Sequence, residues 1–93
     1  MEFEWDIFKE QKNYQKHRVL FKESVETFFD PNGFELNDDK HSLKEIRHYW
    51  IGKTKSDRIL TTRFTRRGSV IRIIGSAEWR KFKRYYNETT QIK

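Results

Sequence analysis

The chain has 93 residues, enough for one domain with one modest core, so we expect residues 1–93 to form a single domain. It contains no cysteine, which excludes disulfides, thiolate catalysis and cysteine-ligated zinc sites. Charged residues make up 37% of the chain, a share that approaches a disordered composition, but 16% aromatic residues supply the apolar surface of a folded core.

Charge is distributed unevenly along the chain. Residues 1–46 carry seven Lys and Arg against eleven Asp and Glu, a net −4, whereas residues 47–93 carry thirteen against three, a net +10. This asymmetry predicts an anionic partner for the second half, with nucleic acid the first candidate, and leaves a basic partner open for the first half. No segment has the character of a secretion signal or a membrane span, so we expect a cytoplasmic protein.

The first third of the chain is predicted to contain one strand and two helices. EFEW at 2–5 alternates acidic and aromatic residues, as a strand does, and Asp6 can cap a helix over about residues 7–17. The second helix ends at DPNG, residues 30–33, and has an apolar face whose phenylalanines we expect in the core. The members of this face are Phe21, Val25, Phe28 and Phe29.

Strands dominate the remainder of the chain. FEL at 34–36 predicts a short strand, and Ser42 to Glu45 matches a capping box that allows one helical turn. Longer strands are predicted over about residues 47–54, 58–66 and 69–75. The C-terminal helix EWRKFKRYYNE docks by an aromatic stripe, which comprises Trp79, Phe82 and Tyr86. The order of elements predicts an α+β domain with an antiparallel sheet, two N-terminal helices on one face, the other face free, and a C-terminal helix.

The segment RILTTRFTRRGSVIRII, residues 58–74, concentrates five arginines in two predicted strands. A tight turn at residues 67–68 places Arg63 directly opposite Arg72 on one face of the sheet. Like charges so placed repel each other. The two arginines therefore predict a site for an anion such as a phosphate.

The strand before this hairpin extends the same face. A tight turn at residues 56–57 places His48 and Trp50 beside the two arginines. The opposite face is then apolar and comprises Tyr49, Ile51, Leu60, Phe64, Ile71 and Ile73. A shift of one residue in this register would exchange the two faces of the strand at 47–54.

A series of short motifs resembles the BrnT toxin family in order and spacing, over nearly the whole chain. The motifs are FEWD, KH at 16–17, FFDP, HS, EIR, IGKT, FTRRG and IRII. The resemblance implies a RelE-like ribonuclease toxin paired with a BrnA antitoxin, whose ribbon-helix-helix domain binds DNA. Members commonly follow RII with Ser-Ala-Arg, whereas this chain has Gly75, Ser76 and Ala77, so the expected arginine is missing or is supplied by Arg80.

The resemblance implies an endoribonuclease that inhibits translation and growth until its antitoxin neutralises it. Attack of a ribose 2′-hydroxyl on the adjacent phosphate needs no cofactor and no metal. It leaves a 2′,3′-cyclic phosphate and a 5′-hydroxyl. Arg63 and Arg72 would stabilise the negative charge of the transition state.

Proton transfer has several candidates. His48 and Glu45 are favoured, the first for its face of the sheet and the second as a carboxylate base. His17 competes with them, although a position near a helix end favours a structural role. Tyr85 and Tyr86 also remain open.

Contacts to the rest of the RNA are expected from residues around these arginines. Arg47 and Lys53 would hold flanking phosphates, and Trp50 or Tyr85 would stack on an unpaired base; Arg80 completes the predicted set. His41 and Glu45 have the spacing of two metal ligands, but two ligands without a third make a poor site, so no metal is expected.

Two other classes of function remain open. The basic hairpin suits a nucleic-acid-binding module without catalysis equally well. The altered segment after Ile74 also fits an inactive homologue that only binds its antitoxin.

Overall fold

The computed structural model describes residues 1–41 and 44–92. Its elements are β1 (Glu2–Trp5), α1 (Ile7–His17), α2 (Phe21–Thr27), β2 (Phe34–Asn37), β3 (Arg47–Lys53), β4 (Ile59–Arg67), β5 (Val70–Ala77) and α3 (Arg80–Ile92). A short 3₁₀ turn covers Asp39–His41. The predicted order of strands and helices is confirmed, and the helical turn predicted from Ser42 falls partly outside the described residues. Within the described ranges, no helix combines the length and apolar character needed to cross a membrane.

The five strands form one mixed sheet in the order β1-β5-β4-β3-β2. The four strands from β2 to β5 pair antiparallel, but β1 runs parallel to β5, with Glu2 beside Val70. Parallel strands need a long connection, which here is nearly the whole domain. The prediction of a purely antiparallel sheet is therefore wrong at this edge.

Helices cover both faces of the sheet. On one face α2 contributes Phe21 to a buried cluster with Phe64 of β4. On the other face α3 contributes Tyr86, which packs with Ile51 of β3. The aromatic stripe of α3 thus occupies the face that was predicted to be free, and α1 lies along β5.

The two N-terminal helices begin where the sequence predicts. Asp6 caps α1, since its Oδ1 accepts a hydrogen bond from the Phe8 backbone N–H at 2.8 Å. Helix α2 ends at Thr27. The next residue, Phe28, packs in the core and stacks on Trp50 at a centroid distance of 5.3 Å. Phe29 is 67% exposed, and its assignment to the core is wrong.

The loop between β3 and β4 is longer than predicted. Thr54 donates its backbone N–H to Arg58 O at 2.8 Å, and its Oγ1 accepts a hydrogen bond from Arg58 N at 3.0 Å, which leaves residues 55–57 as a three-residue loop. Asp57 has φ 67°, in the left-handed region that closes such loops. A two-residue turn at 56–57 was predicted, so the pairing of β3 with β4 differs by one residue.

Because of this difference, each β3 side chain lies on the opposite face of the sheet from the one predicted. His48 lies beside Phe64 and Tyr49 lies beside Arg63. Because side chains alternate along a strand, His48 and Trp50 point to the α2 face and Tyr49 shares a face with Arg63. The predicted face that joins His48 and Trp50 to the arginines is therefore wrong.

The β4–β5 turn also differs from the prediction. Arg67 pairs with Val70, so Gly68 and Ser69 form the turn. Gly68 has φ 62° at the first turn position, a conformation that glycine adopts without steric cost.

A β-bulge interrupts the pairing of β4 with β5. Phe64 pairs with Ile73, but Arg63 pairs with Gly75, so Ile74 is the extra residue on β5. Bulges locally bend a strand and change where its side chains point. The position of the turn and the bulge together place Arg63 opposite Gly75 instead of opposite Arg72.

Candidate active site

The five hairpin arginines are each paired with a carboxylate of the described chain. The pairs are Arg58–Glu23 (2.8 Å), Arg63–Asp38 (3.1 Å), Arg66–Glu35 (2.6 Å), Arg67–Glu45 (3.2 Å) and Arg72–Glu4 (2.7 Å). Arg72 pairs across the ladder with Thr65, not with Arg63. The predicted repulsion between Arg63 and Arg72 in the empty site is therefore wrong, since each arginine has its own counter-ion.

Arg63 lines a small cleft between the C-terminal end of α1 and the bulged part of β5. The cleft has a volume of about 100 Å³. Its lining consists of Asn13, His17, Thr61, Arg63, Gly75, Ser76, Ala77 and Trp79. Of the site residues predicted from the sequence as catalytic or RNA-binding, Arg63 is the one found among these described lining residues.

Asn13 fixes α1 against the strand that forms one wall of the cleft. Its Nδ2 donates to Ser76 O at 2.9 Å and to Val19 O at 3.2 Å, and its Oδ1 accepts from Ser76 N at 3.1 Å. The pairing of β1 with β5 stops at Ile73, so the Asn13 amide satisfies backbone groups of β5 beyond that point. His17 lies one helical turn after Asn13 and is thereby brought to the cleft.

The guanidinium of Arg63 is held in place by two neighbours. Its Nε lies 3.1 Å from Oδ2 of Asp38, a carboxylate that is only 3% exposed. Its Nη2 donates to Tyr49 Oη at 3.3 Å, and its Cζ lies 5.5 Å from the centroid of the Tyr49 ring. Since a guanidinium has five N–H donors, Arg63 retains donors for the oxygens of an anion.

The predicted acid and base lie elsewhere in the structure. His48 packs against the Phe64 ring at a centroid distance of 5.3 Å, and its Nδ1 lies 3.1 Å from Oε2 of Glu35. Glu45 is exposed, and its hydrogen bond from Arg67 lowers the pKa of its carboxyl group. Neither belongs to the described lining of the cleft.

Trp50 is a core residue. Its ring stacks on Phe28 at an interplanar angle of 11°, and its Nε1 donates to Thr27 O at 2.7 Å. One ring face and the indole N–H are therefore already engaged, which leaves the predicted stacking on a base without structural support.

The other predicted RNA contacts are spread over the molecule. Arg47 begins β3 beside Thr65, and Lys53 ends β3 with Nζ 5.8 Å from the Tyr86 ring centroid. Arg80 is exposed at the start of α3, and Tyr85 is 51% exposed. The structure does not bring these four residues together at the cleft.

Tyr86 serves the core. It is 3% exposed, and its hydroxyl donates to Oδ2 of Asp30 at 2.5 Å. Burial, followed by this hydrogen bond, raises the pKa of Tyr86 above its usual range. A hydroxyl so held does not exchange protons with a substrate near neutral pH.

His17 and Trp79 line the cleft, although the sequence favoured a structural role for both. His17 ends α1, as predicted, but its half-buried side chain also lines the cleft with Arg63. Trp79 also lines the cleft, with its ring centroid 5.7 Å from that of Tyr49. The KH motif at 16–17 is the one sequence signal for His17. No local pattern in the sequence indicates that the end of α1 lies next to β5.

The cleft combines two functions that acid–base chemistry on a phosphate requires. An imidazole can carry a proton near neutral pH, and a fixed guanidinium can stabilise a developing oxyanion. Together they suit cleavage of a phosphodiester.

Comparison with known proteins identifies the family. The profile described as "Ribonuclease toxin, BrnT, of type II toxin-antitoxin system" matches residues 5–82. The 1.1 Å crystal structure of the Brucella abortus ribonuclease toxin BrnT is similar with a TM-score of 0.67 and 21% identity, covering 85% of this chain and 96% of that chain, a likeness that shows a shared fold. No curated protein sequence is significantly similar. The chain thus belongs to the BrnT family, the ribonuclease toxins of type II toxin–antitoxin systems, in which an antitoxin is the partner and RNA the substrate.

Proposed function

We propose that this chain is an endoribonuclease whose active site is the cleft between α1 and the β-bulge of β5. The observation that carries the proposal is the presence of His17 and Arg63 in one cleft. Cleavage through the 2′-hydroxyl needs a proton carrier and an anion stabiliser at the same point of the substrate.

In the proposed reaction the ribose 2′-oxygen forms a bond to the adjacent phosphorus, and the bond from phosphorus to the 5′-oxygen breaks. His17, as neutral imidazole, accepts the proton of the 2′-hydroxyl. Arg63 donates hydrogen bonds to the non-bridging oxygens, where negative charge accumulates. The leaving 5′-oxygen takes a proton from solvent, and the products are a 2′,3′-cyclic phosphate and a 5′-hydroxyl without participation of a metal.

Trp79 supports the recognition of single-stranded RNA at this site. It is half-buried, lines the cleft and packs at 78° to the Tyr49 ring, which fixes its orientation. An aromatic side chain beside a scissile phosphate offers a stacking surface for an unpaired base. We assign it the role that Trp50 was predicted to have.

The antitoxin is proposed to be a BrnA-like protein with a ribbon-helix-helix domain, which forms a hetero-oligomer with this chain. DNA would then be bound only through the antitoxin. Free of its antitoxin, the chain would cleave RNA in the cytoplasm and arrest translation and growth in a RelE-like manner.

Arg63 and Arg72 provide a matched test of this site. Their side chains are both 26% exposed and both are paired with a carboxylate, but Arg63 lines the cleft and Arg72 pairs with Glu4 at the sheet edge. Purified protein is incubated with RNA in excess EDTA, and the product ends are analysed. We expect Arg63→Ala and His17→Ala to lower the cleavage rate about a hundredfold or more, while Arg72→Ala retains most of it.

Equal loss in Arg63→Ala and Arg72→Ala would contradict the cleft and favour a site on the whole hairpin. Circular dichroism and thermal unfolding of each variant verify that the fold is intact. RNA binding without cleavage in the unmodified protein would make a non-catalytic nucleic-acid-binding module, or an inactive homologue, the better conclusion. Addition of ribosomes tests whether cleavage depends on them.

A further inference from the structure

The exposed face of α1 carries a row of lysines that leads into the cleft. Lys9, Lys12 and Lys16 are spaced by three and four residues, so they lie on one side of the helix. All three are exposed. They line a groove of about 270 Å³ whose lining also includes Asn13, His17 and Arg63. The groove and the cleft therefore share these three residues and Gly75, and they form one continuous surface.

This lysine groove, formed by Lys9, Lys12 and Lys16, carries uncompensated positive charge. In residues 1–41 and 44–92, no carboxylate lies within ion-pair distance of any of the three lysines. The nearest acidic residue of the helix, Glu10, is directed elsewhere, since its Oε2 accepts a hydrogen bond from Phe21 N at 2.8 Å. The remaining described groove residues, Ile74 and Gly75, are uncharged.

The lysine groove differs from the hairpin in ion pairing, and this difference favours the groove as the binding surface for an anionic chain. The hairpin arginines each have an intramolecular counter-ion, which reduces their net attraction for a polyanion. The lysines have none, and each offers a compact charge on a flexible stem to a phosphate. From Lys9 to Lys16 the row extends about 10 Å along the helix axis, longer than the backbone repeat of one nucleotide.

We propose that the lysine groove holds successive phosphates of a single-stranded RNA on one side of the scissile bond and directs that strand into the cleft. The inference rests on the proposed function, because it takes the cleft as the point of cleavage. RNA is favoured over an acidic protein segment because the groove runs without interruption into a site with His17 and Arg63. The lysines are binding residues and take no part in the proton transfer.

Salt dependence of binding tests the groove separately from cleavage. The probe is a fully 2′-O-methylated single-stranded oligonucleotide, which lacks the attacking hydroxyl and cannot be cut by the proposed reaction. Its affinity is measured by fluorescence anisotropy between about 50 and about 200 mM salt. The triple variant Lys9→Gln, Lys12→Gln, Lys16→Gln is expected to bind more weakly, with the slope of log affinity against log salt reduced by about 2, since each phosphate contact to a single strand contributes about 0.7.

A control variant with the same loss of charge is Lys22→Gln, Lys40→Gln, Lys55→Gln. These lysines are exposed and are not among the described residues of the groove or the cleft. The control is expected to keep nearly the slope of the unmodified protein.

The outcomes separate the groove from the chemistry. Equal slopes for the two triple variants would overturn the lysine groove whatever the cleavage assay shows. Unchanged RNA binding by the α1 variant combined with loss of neutralisation by the antitoxin would also overturn it, and would assign the groove to the protein partner. A selective loss of slope in a protein that does not cleave RNA would support the groove and overturn the proposed reaction.

Discussion

Asp30 shows how one carboxylate can join three parts of the fold. Its Oδ2 accepts hydrogen bonds from Tyr86 Oη at 2.5 Å and from Lys53 N at 2.7 Å, and its Oδ1 accepts from Asn32 N at 2.9 Å. These donors belong to α3, to the end of β3 and to the loop after α2. Because Tyr86 is nearly inaccessible, the hydroxyl has no water to replace Asp30.

Tyr86→Phe is expected to lower the free energy of unfolding by about 1–3 kcal/mol, since the half-buried Asp30 carboxylate loses one of its hydrogen-bond donors. The pH dependence has a definite sign. Burial raises the pKa of Tyr86 in the folded protein above its ordinary 10.0. Above pH 10.0 the unfolded chain therefore loses this proton while the folded protein keeps it, so stability falls as the pH rises.

Urea unfolding at neutral and alkaline pH measures both effects, and the variant should show a shallower alkaline decline. Tyr85→Phe serves as the control, because Tyr85 is adjacent in sequence and 51% exposed. An alkaline decline of the same slope in Tyr86→Phe would show that another group causes it.

At the scale of elements, α1 extends the sheet edge that β1 begins. β1 pairs with the first half of β5, and Asn13 of α1 then binds both backbone groups of Ser76. An edge strand with unpaired backbone groups is open to non-native pairing, so the two elements together protect most of β5. The same arrangement fixes the wall of the cleft.

Asn13→Ala should therefore affect both stability and activity. It leaves the part-buried N–H and C=O of Ser76 without their partner, which costs about 1–3 kcal/mol of unfolding free energy. Cleavage should fall further than the unfolded fraction explains, because His17 loses its fixed position. Asn87→Ala, an exposed site in α3, is the control and should change neither quantity. Unaltered cleavage in folded Asn13→Ala would contradict this positioning role.

Local signals in the sequence were sufficient for the elements but not for the site. The Asp6 cap and the helical spacing of the aromatic residues are short-range features, and they predicted α1 and the docking of α3 correctly. The three-residue loop, with Asp57 in the left-handed region, gives β3 a register that differs by one residue from the predicted register. His48 and Trp50 therefore lie on the opposite face from the one predicted. Because side chains alternate along a strand, a shift of one residue changes the face on which every side chain of that strand lies.

The bulge and the position of α1 depend on contacts between distant parts of the chain. Asn13 and Ser76 are 63 residues apart, and no periodicity in either segment indicates that they meet. Arg63 was assigned to the site for its expected repulsion with Arg72, whereas in the structure it lines the cleft and pairs with Gly75, next to the bulge at Ile74. The residue was predicted for a reason that the structure does not support.

At the scale of the whole molecule, the acidic first half neutralises the hairpin of the basic second half. The carboxylates that pair with the hairpin arginines include Glu4, Glu23, Glu35, Asp38 and Glu45, all from residues 1–46. The charge asymmetry therefore serves folding as well as binding. The exposed positive charge is left mainly on α1 and α3, away from the segment that first suggested an anion site.

These ion pairs predict a loss of stability in acid. The hydrogen bond from Arg66 lowers the pKa of Glu35 from its ordinary 4.5, and Arg67 does the same for Glu45. Because the folded-state values are lower, the contribution of each pair is complete above pH 4.5 and is lost as the pH falls through the folded value.

The urea midpoint should therefore decrease below pH 4.5, and Glu35→Gln should weaken that dependence while lowering stability modestly at neutral pH. Glu2→Gln, at an exposed position, provides the control for loss of one carboxylate. An acid decline of the same slope in Glu35→Gln and in the unmodified protein would contradict the assignment.

The parallel pairing of Glu2 with Val70 has a consequence for how the protein is made. During synthesis the first strand and α1 leave the ribosome long before their partner strand exists, so neither can dock. Gly75 and Ser76, which form one wall of the cleft, emerge only with β5, after all the other strands. A sheet closed by contacts of such long sequence separation forms late and slowly. The nascent chain thus lacks a complete cleft until β5 has been translated, and a chain that terminates before β5 has none.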